Sequence, residues 1–75
     1  MDEKSVHKAI NIILADRKAY DTSLNWAIND CLQSVGLHGD DLNTQCLYIL
    51  NNITRWRNPE AKNVRNILKA FTSNK

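Results

Sequence analysis

The residues best suited to chemistry lie near the end of the chain, in the stretch ITRWRNPEAKNVRNILKAF. Lys62, Arg65 and Lys69 recur at i, i+3 and i+7, so they share one face of a predicted helix. Arginine recognises guanine and lysine neutralises phosphate, so this face could contact DNA. Arg55 and Arg57 at the preceding corner complete the layout of a helix-turn-helix. An amphipathic helix that only keeps its polar face in water shows the same pattern.

Charge is divided unevenly along the chain. The first 54 residues carry seven Asp and Glu against four Lys and Arg, whereas residues 55–75 carry one Glu against six Lys and Arg. Such a division can mark a phosphate-binding end, two halves of one molecule that attract each other, or two copies that pair head to tail. The net charge of +2 for the whole chain is too small to favour nucleic acid by itself.

The two cysteines, Cys31 and Cys46, lie on either side of His38. In an antiparallel helical hairpin both thiols would face the same core. A disulfide between them is geometrically conceivable, but cytoplasmic proteins rarely keep one. A zinc site made of Cys31, Cys46 and His38 lacks a fourth ligand and a closely spaced cysteine pair. We interpret both thiols as buried and structural, and we predict no metal and no cofactor.

No pattern in the chain predicts an enzyme. The serines lie outside any Gly-x-Ser-x-Gly motif, His7 falls on the polar flank of a predicted helix, and His38 lies in a loop. Asp40 and Asp41 are better explained by helix capping than by metal binding, and no glycine-rich phosphate loop is present. We therefore predict neither catalytic activity nor a small-molecule ligand.

Trp26 is the least expected apolar residue, because it lies opposite the main apolar stripe of its predicted helix. Together with Ile12 and Ala19 it forms a second stripe at heptad intervals. This second stripe either packs within the domain or faces another chain, and tryptophan is favoured at interface hot spots. Ile12 and Trp26 are therefore the apolar candidates for a partner-binding surface.

Helical spacing of the apolar residues predicts the elements that must position these candidates. The fold class is all-α, a compact bundle of three to four short helices at about 3–20, 22–35, 41–57 and 59–72. The polar run Asp21-Thr22-Ser23 favours a break between the first two helices. One continuous helix over residues 3–35 also fits the spacing.

Glycines mark the boundary before the third helix. Gly36 suits the left-handed position that follows a helix, and Gly39 permits a second tight bend. Asp40 or Asp41 can then supply the N-cap, where a negative charge is favourable. Leu47 and Leu50 widen the apolar stripe that follows, so we expect the third helix to be the most buried element.

Asn58-Pro59 marks the boundary between the third and fourth helices. Proline disfavours helical geometry at Asn58 and suits the first position of a new helix. The side chain of Asn58 can cap that helix. Between them, the two residues predict a sharp corner just before the basic face.

The length of the chain limits the fold to one domain, which we place at 1–75. A chain of this size buries only about 60% of its unfolded surface, so a partner would add to its stability. No apolar run approaches the roughly 20 residues of a membrane span, and the acidic start does not resemble a secretory signal. We expect a cytoplasmic protein that does not contact membranes.

Together these observations favour a non-enzymatic protein-protein interaction module. Its partner is either a second copy, giving a homo-oligomer, or a host or phage protein, since the motif-poor composition fits small accessory or regulatory proteins of phages and mobile elements. The alternative is a helix-turn-helix-like protein that binds nucleic acid through its basic C-terminal helix. A third hypothesis, ranked lowest, is a regulator that presents Asp16, Asp21 and Asp30 as phosphate mimics to a nucleic-acid-binding enzyme.

Overall fold

The computed structural model describes residues 2–73 and confirms the all-helical fold. Four α-helices follow one another along the chain: α1 Glu3–Ala15, α2 Ala27–Ser34, α3 Gly39–Asn52 and α4 Ala61–Thr72. A 3₁₀-helix, Arg17–Ala19, follows α1. Each α-helix packs mainly against two others, so that α1 and α3 each contact both α2 and α4. None of the helices in residues 2–73 is both long enough and apolar enough to cross a membrane.

The core is built from the apolar positions that helical spacing predicts. Its largest fully buried side chains come from all four helices and from the connectors before α2 and before α4: Val6, Ile10, Ile13, Leu24, Cys31, Leu42, Cys46, Ile49, Ile53, Trp56, Val64 and Leu68. Leu47 is the exception. The prediction that it widens the buried stripe of α3 is wrong, because 47% of its surface is exposed.

The first helix is shorter than predicted. It begins where Asp2 accepts the N–H of Ser5 at 2.8 Å, and it ends at Ala15 rather than at residue 20. α2 begins at Ala27 rather than at residue 22. A continuous helix over 3–35 is therefore wrong, whereas the predicted break near residue 21 is confirmed and extends over residues 16–26.

Tertiary contacts explain the long connector of residues 16–26. Its Leu24 is completely buried in the core, and the carboxylate of Asp16 accepts hydrogen bonds from two side chains of the connector between α3 and α4. The intrinsic helix propensity of the surrounding residues favours a helix by only about tenths of a kcal/mol per residue. The tertiary contacts of Leu24 and Asp16 outweigh this preference. The connector folds instead as the 3₁₀-helix followed by consecutive turns.

The turn between α2 and α3 confirms the prediction for its two glycines. Gly36 has a φ of +84° and Gly39 a φ of +59°, the left-handed region that L side chains rarely adopt. Two such positions within four residues reverse the chain, so that α2 and α3 pack against each other.

The N-terminus of α3 is capped by a residue that the sequence did not indicate. α3 begins at Gly39, so the prediction that Asp40 or Asp41 supplies the N-cap is wrong. Instead, the carboxylate of Glu3 on α1 accepts the Gly39 N–H at 2.7 Å and lies 2.9 Å from Nδ1 of His38. The Gly39 N–H, followed by the His38 side chain, lowers the pKa of Glu3. The start of α1 therefore stabilises the start of α3.

The connector between α3 and α4 is also longer than predicted. α3 ends at Asn52 and not at residue 57, and α4 begins at Ala61 and not at residue 59. The prediction that Asn58 caps α4 is wrong, because the N-cap is Glu60; the Asn58 Oδ1 instead accepts the Glu60 N–H at 2.8 Å, just before the helix. Ile53 and Trp56 are buried, so residues 53–60 close one end of the core.

Candidate functional site

Most of the candidates from the sequence meet at one corner of the molecule. Three adjacent depressions of about 310, 410 and 450 Å³ follow the connector of residues 53–60. The first and second share Arg55, and the second and third share Arg57. We call these three shallow, adjoining depressions the corner groove. Its charged and aromatic lining residues are Asp16, Lys18, Trp26, Arg55, Trp56, Arg57, Lys62 and Arg65.

Trp26 forms one end of the corner groove. Its side chain is 75% exposed, which excludes the alternative that it packs within the domain. The surrounding lining is polar and comes from the turns before α2 and from the end of α3, including Thr22, Asn51, Asn52 and Arg55. An indole exposed among amides and hydroxyls offers a flat face to a ligand and has few apolar neighbours of its own.

Asp16 joins the two connectors that build the groove. Its Oδ2 accepts a hydrogen bond from Nε1 of Trp56 at 2.8 Å and another from Nδ2 of Asn58 at 3.0 Å. These bonds, that from Asn58 foremost, lower the pKa of Asp16. The carboxylate therefore stays ionised down to a lower pH than an ordinary aspartate, and the stability it contributes is present above its ordinary pKa of 3.8 and is lost as the pH falls below that value through the lowered pKa of the folded state. Through these two hydrogen bonds, Asp16 holds residues 16–26 against residues 53–60, and these two connectors form the groove.

Four exposed cations line the groove: Lys18, Arg55, Arg57 and Lys62. Within residues 2–73, none of the four forms an ion pair with a carboxylate. The lining also contains one ionised carboxylate, Asp16, which faces Lys18, so the four cations leave the groove with a net positive charge. Such a surface favours a polyanionic ligand.

Arg65, the central member of the predicted basic face, does not project freely into solvent. It is half-buried, and its Nη1 donates to the carbonyl oxygens of Ile53 at 3.1 Å and Trp56 at 3.3 Å. The guanidinium therefore satisfies carbonyl groups beyond the end of α3. Of the predicted face, Lys62 and Lys69 remain exposed.

The other two candidates lie outside the corner groove. Ile12 is half-buried between α1 and α4, in a depression that it shares with Asn63 and Ile67. The heptad stripe from Ile12 to Trp26 is not a helical face, because residues 16–26 are not α-helical. Lys69 is exposed in the last turn of α4 and does not line the groove.

A second surface was missed by the sequence analysis. Leu32 and Val35 at the end of α2, with Leu47 and Tyr48 on α3, are large apolar side chains that are exposed by about half or more, 47% to 63%. We call these four residues the α2–α3 apolar face. One sequence signal could have revealed it: residues 19–54 contain no Lys or Arg, and residues 42–54 contain no charged side chain.

The two cysteines lie in the core, apart from the exposed His38. Cys31 and Cys46 are buried and not joined by a disulfide, whereas His38 is exposed beside Glu3. Burial is the main cause that raises the pKa of Cys31 to about 12 and that of Cys46 to about 11. Among residues 2–73, no three His, Cys, Asp or Glu side chains are grouped to hold a metal ion.

We therefore expect both thiols to be unreactive in the native protein, since the thiolate is the nucleophile. A chromogenic disulfide reagent should label Cys31 and Cys46 only after denaturation, and labelling should follow the rate of unfolding. An Asn66→Cys variant, with its new thiol at an exposed position of α4, provides the accessible control and should react at once. Rapid labelling of native wild type at a rate close to that of the control would show that the core opens readily.

The geometry offers two surfaces for binding, and similarity to other proteins does not choose between them. Comparisons with protein-family models, with curated proteins and with solved structures gave no match.

Proposed function

We propose that this protein is a non-enzymatic protein-protein interaction module that docks through the α2–α3 apolar face. One observation carries the proposal. Within residues 2–73, every large apolar side chain that is mainly exposed lies between Trp26 and Tyr48, in the part of the chain without a cation. Protein interfaces are depleted of charge at their centre and enriched in aromatic residues.

The size of the chain supports the same proposal. A domain of 75 residues has a small core, and covering exposed Leu32, Val35, Leu47 and Tyr48 would remove further apolar surface from water. Each Å² of apolar surface covered contributes about 25 cal/mol before the costs of association. The partner is a second copy of the chain or a host or phage protein, and the module acts in the cytoplasm as an accessory or regulatory protein of a phage or mobile element.

A charge placed on the α2–α3 apolar face tests this proposal. Tyr48→Glu should weaken self-association by about 2 kcal/mol or more, roughly 30-fold, if the partner is a second copy, because tyrosine is a common hot-spot residue. Sedimentation equilibrium over a range of concentrations measures the effect. Asn66→Glu is the matched control, since it adds the same charge at an exposed helical position on α4.

A heterologous partner is tested with the same two positions. A photo-crosslinking amino acid at position 48 should give a discrete adduct in cells, whereas the same amino acid at position 66 should not. The proposal fails if the protein stays monomeric at all concentrations and positions 48 and 66 crosslink equally.

The helix-turn-helix alternative has less geometric support. The connector between α3 and α4 spans residues 53–60, twice the three to four residues of a typical helix-turn-helix turn, and Arg65 is directed to backbone carbonyls. The positive charge of the corner groove nevertheless favours an anionic ligand of a different shape.

A further inference from the structure

The corner groove combines a row of cations with an exposed aromatic ring. We propose that it binds a single strand of nucleic acid, with the Trp26 indole stacking on a base and Lys18, Arg55, Arg57 and Lys62 contacting backbone phosphates. This inference goes beyond the proposed docking function, because it uses a different surface from the α2–α3 apolar face. It stands whether or not that face binds a protein.

The charges of the groove favour a polyanion. Arg55 lines the first and second depressions, Arg57 the second and third, Lys18 the second and Lys62 the third, so positive charge extends along the whole groove. The one carboxylate in the lining, Asp16, accepts hydrogen bonds from Trp56 and Asn58 through its Oδ2. A chain of phosphates could therefore contact successive cations without meeting an exposed row of anions.

The surroundings of Trp26 favour nucleic acid over an acidic peptide. Apart from the indole and Arg55, the lining of this depression consists of hydroxyls and amides: Thr22, Ser23, Asn51, Asn52 and Thr54. A peptide side chain that packs on an exposed indole would gain from further apolar neighbours, which are missing here. A base needs only the flat face of the ring for stacking and can hydrogen-bond to the amides through its edge.

The shape of the groove favours a single strand over a duplex. Its walls come from the connectors of residues 16–26 and 53–60 and from helix ends, so its lining is not a single exposed helical face of the kind that reads a major groove. The groove follows a corner of a molecule whose longest extent is 31 Å. A flexible strand with unstacked bases can follow such a corner, whereas a stiff duplex cannot.

The contribution of Trp26 is tested by fluorescence anisotropy of an end-labelled oligothymidylate of about ten nucleotides at low salt. Trp26→Ala should weaken binding about tenfold to hundredfold, because it removes a stacking surface, whereas Trp26→Phe should retain most of the affinity. Tyr48→Glu, which alters the α2–α3 apolar face, should bind almost as wild type. This control separates the present proposal from the docking function.

The contribution of the cations is tested by the salt dependence of the same binding. The slope of log affinity against log salt should become shallower by about 1.4 in Arg55→Ala/Arg57→Ala, that is, about 0.7 for each lost contact to single-stranded phosphate. Lys4→Ala/Lys69→Ala removes the same charge at exposed positions outside the groove and should change the slope much less.

Each of four results would overturn the proposal. The first is the absence of binding at low salt, and the second is equal affinity of Trp26→Ala and Trp26→Phe. The third is an equal change of slope in the groove pair and the control pair, which would show diffuse attraction only. The fourth is equal or tighter binding of a duplex, or of an acidic peptide of the same charge.

Discussion

Trp56→Ala is expected to lower the free energy of unfolding by about 3 to 5 kcal/mol. The Trp56 side chain is only 1% exposed, and its Nε1 donates to Asp16 at 2.8 Å, so truncation leaves a large cavity and removes a link between the two connectors. A domain of this length has a total stability of roughly 4 to 11 kcal/mol. The variant should therefore lose a large fraction of its stability and unfold at a clearly lower urea concentration than the wild type.

The second tryptophan of the chain provides the matched control. Trp26→Ala makes the same chemical change at a side chain that is 75% exposed, and it should alter the free energy of unfolding by no more than about 0.5 kcal/mol. Urea denaturation followed by far-ultraviolet circular dichroism measures both variants. Equal losses in the two variants would contradict the assignment of Trp56 to the core and Trp26 to the surface.

Arg65→Met should give the second large effect, a loss of about 1.5 to 3 kcal/mol of unfolding free energy. Methionine keeps much of the apolar stem but leaves the carbonyl oxygens of Ile53 and Trp56 without the charged donor that now reaches them at 3.1 and 3.3 Å. Urea denaturation is again the measurement. Binding of an oligonucleotide should be compared only under conditions where the variant is fully folded.

The control for Arg65 is Lys69→Met, one turn further along the same helix. Lys69 is exposed and should change stability by about 0.5 kcal/mol or less. If the two variants were equally stable, Arg65 would be an ordinary surface cation and would again be a candidate for ligand contact. If only Arg65→Met is destabilised, Arg65 stabilises the backbone of the connector between α3 and α4 and is not a free cation of the basic face.

The helices and the core could be predicted because helical periodicity is a local property of the sequence. Buried residues such as Val6, Ile10 and Ile13 recur at the spacing of a helix, and a face of that kind must be covered whatever lies beyond it. The helix ends could not be predicted in the same way. α1 stops at Ala15 beside the Asp16 contacts with residues 56–58, and α3 begins where Glu3 reaches the Gly39 N–H.

The sequence by itself determined the all-α class, the core positions, the glycine turn before α3 and the list of candidate cations. Only the tertiary structure decided which candidates lie together. Trp26 and Arg55 are far apart in the sequence, yet they line one depression because Asp16 joins residues 16–26 to residues 53–60. Ile12 and Lys69 lie outside the groove, and Arg65 donates to backbone carbonyls. The physical reason is that spacing specifies which face of a helix is apolar, whereas the meeting of two connectors depends on how all four helices pack.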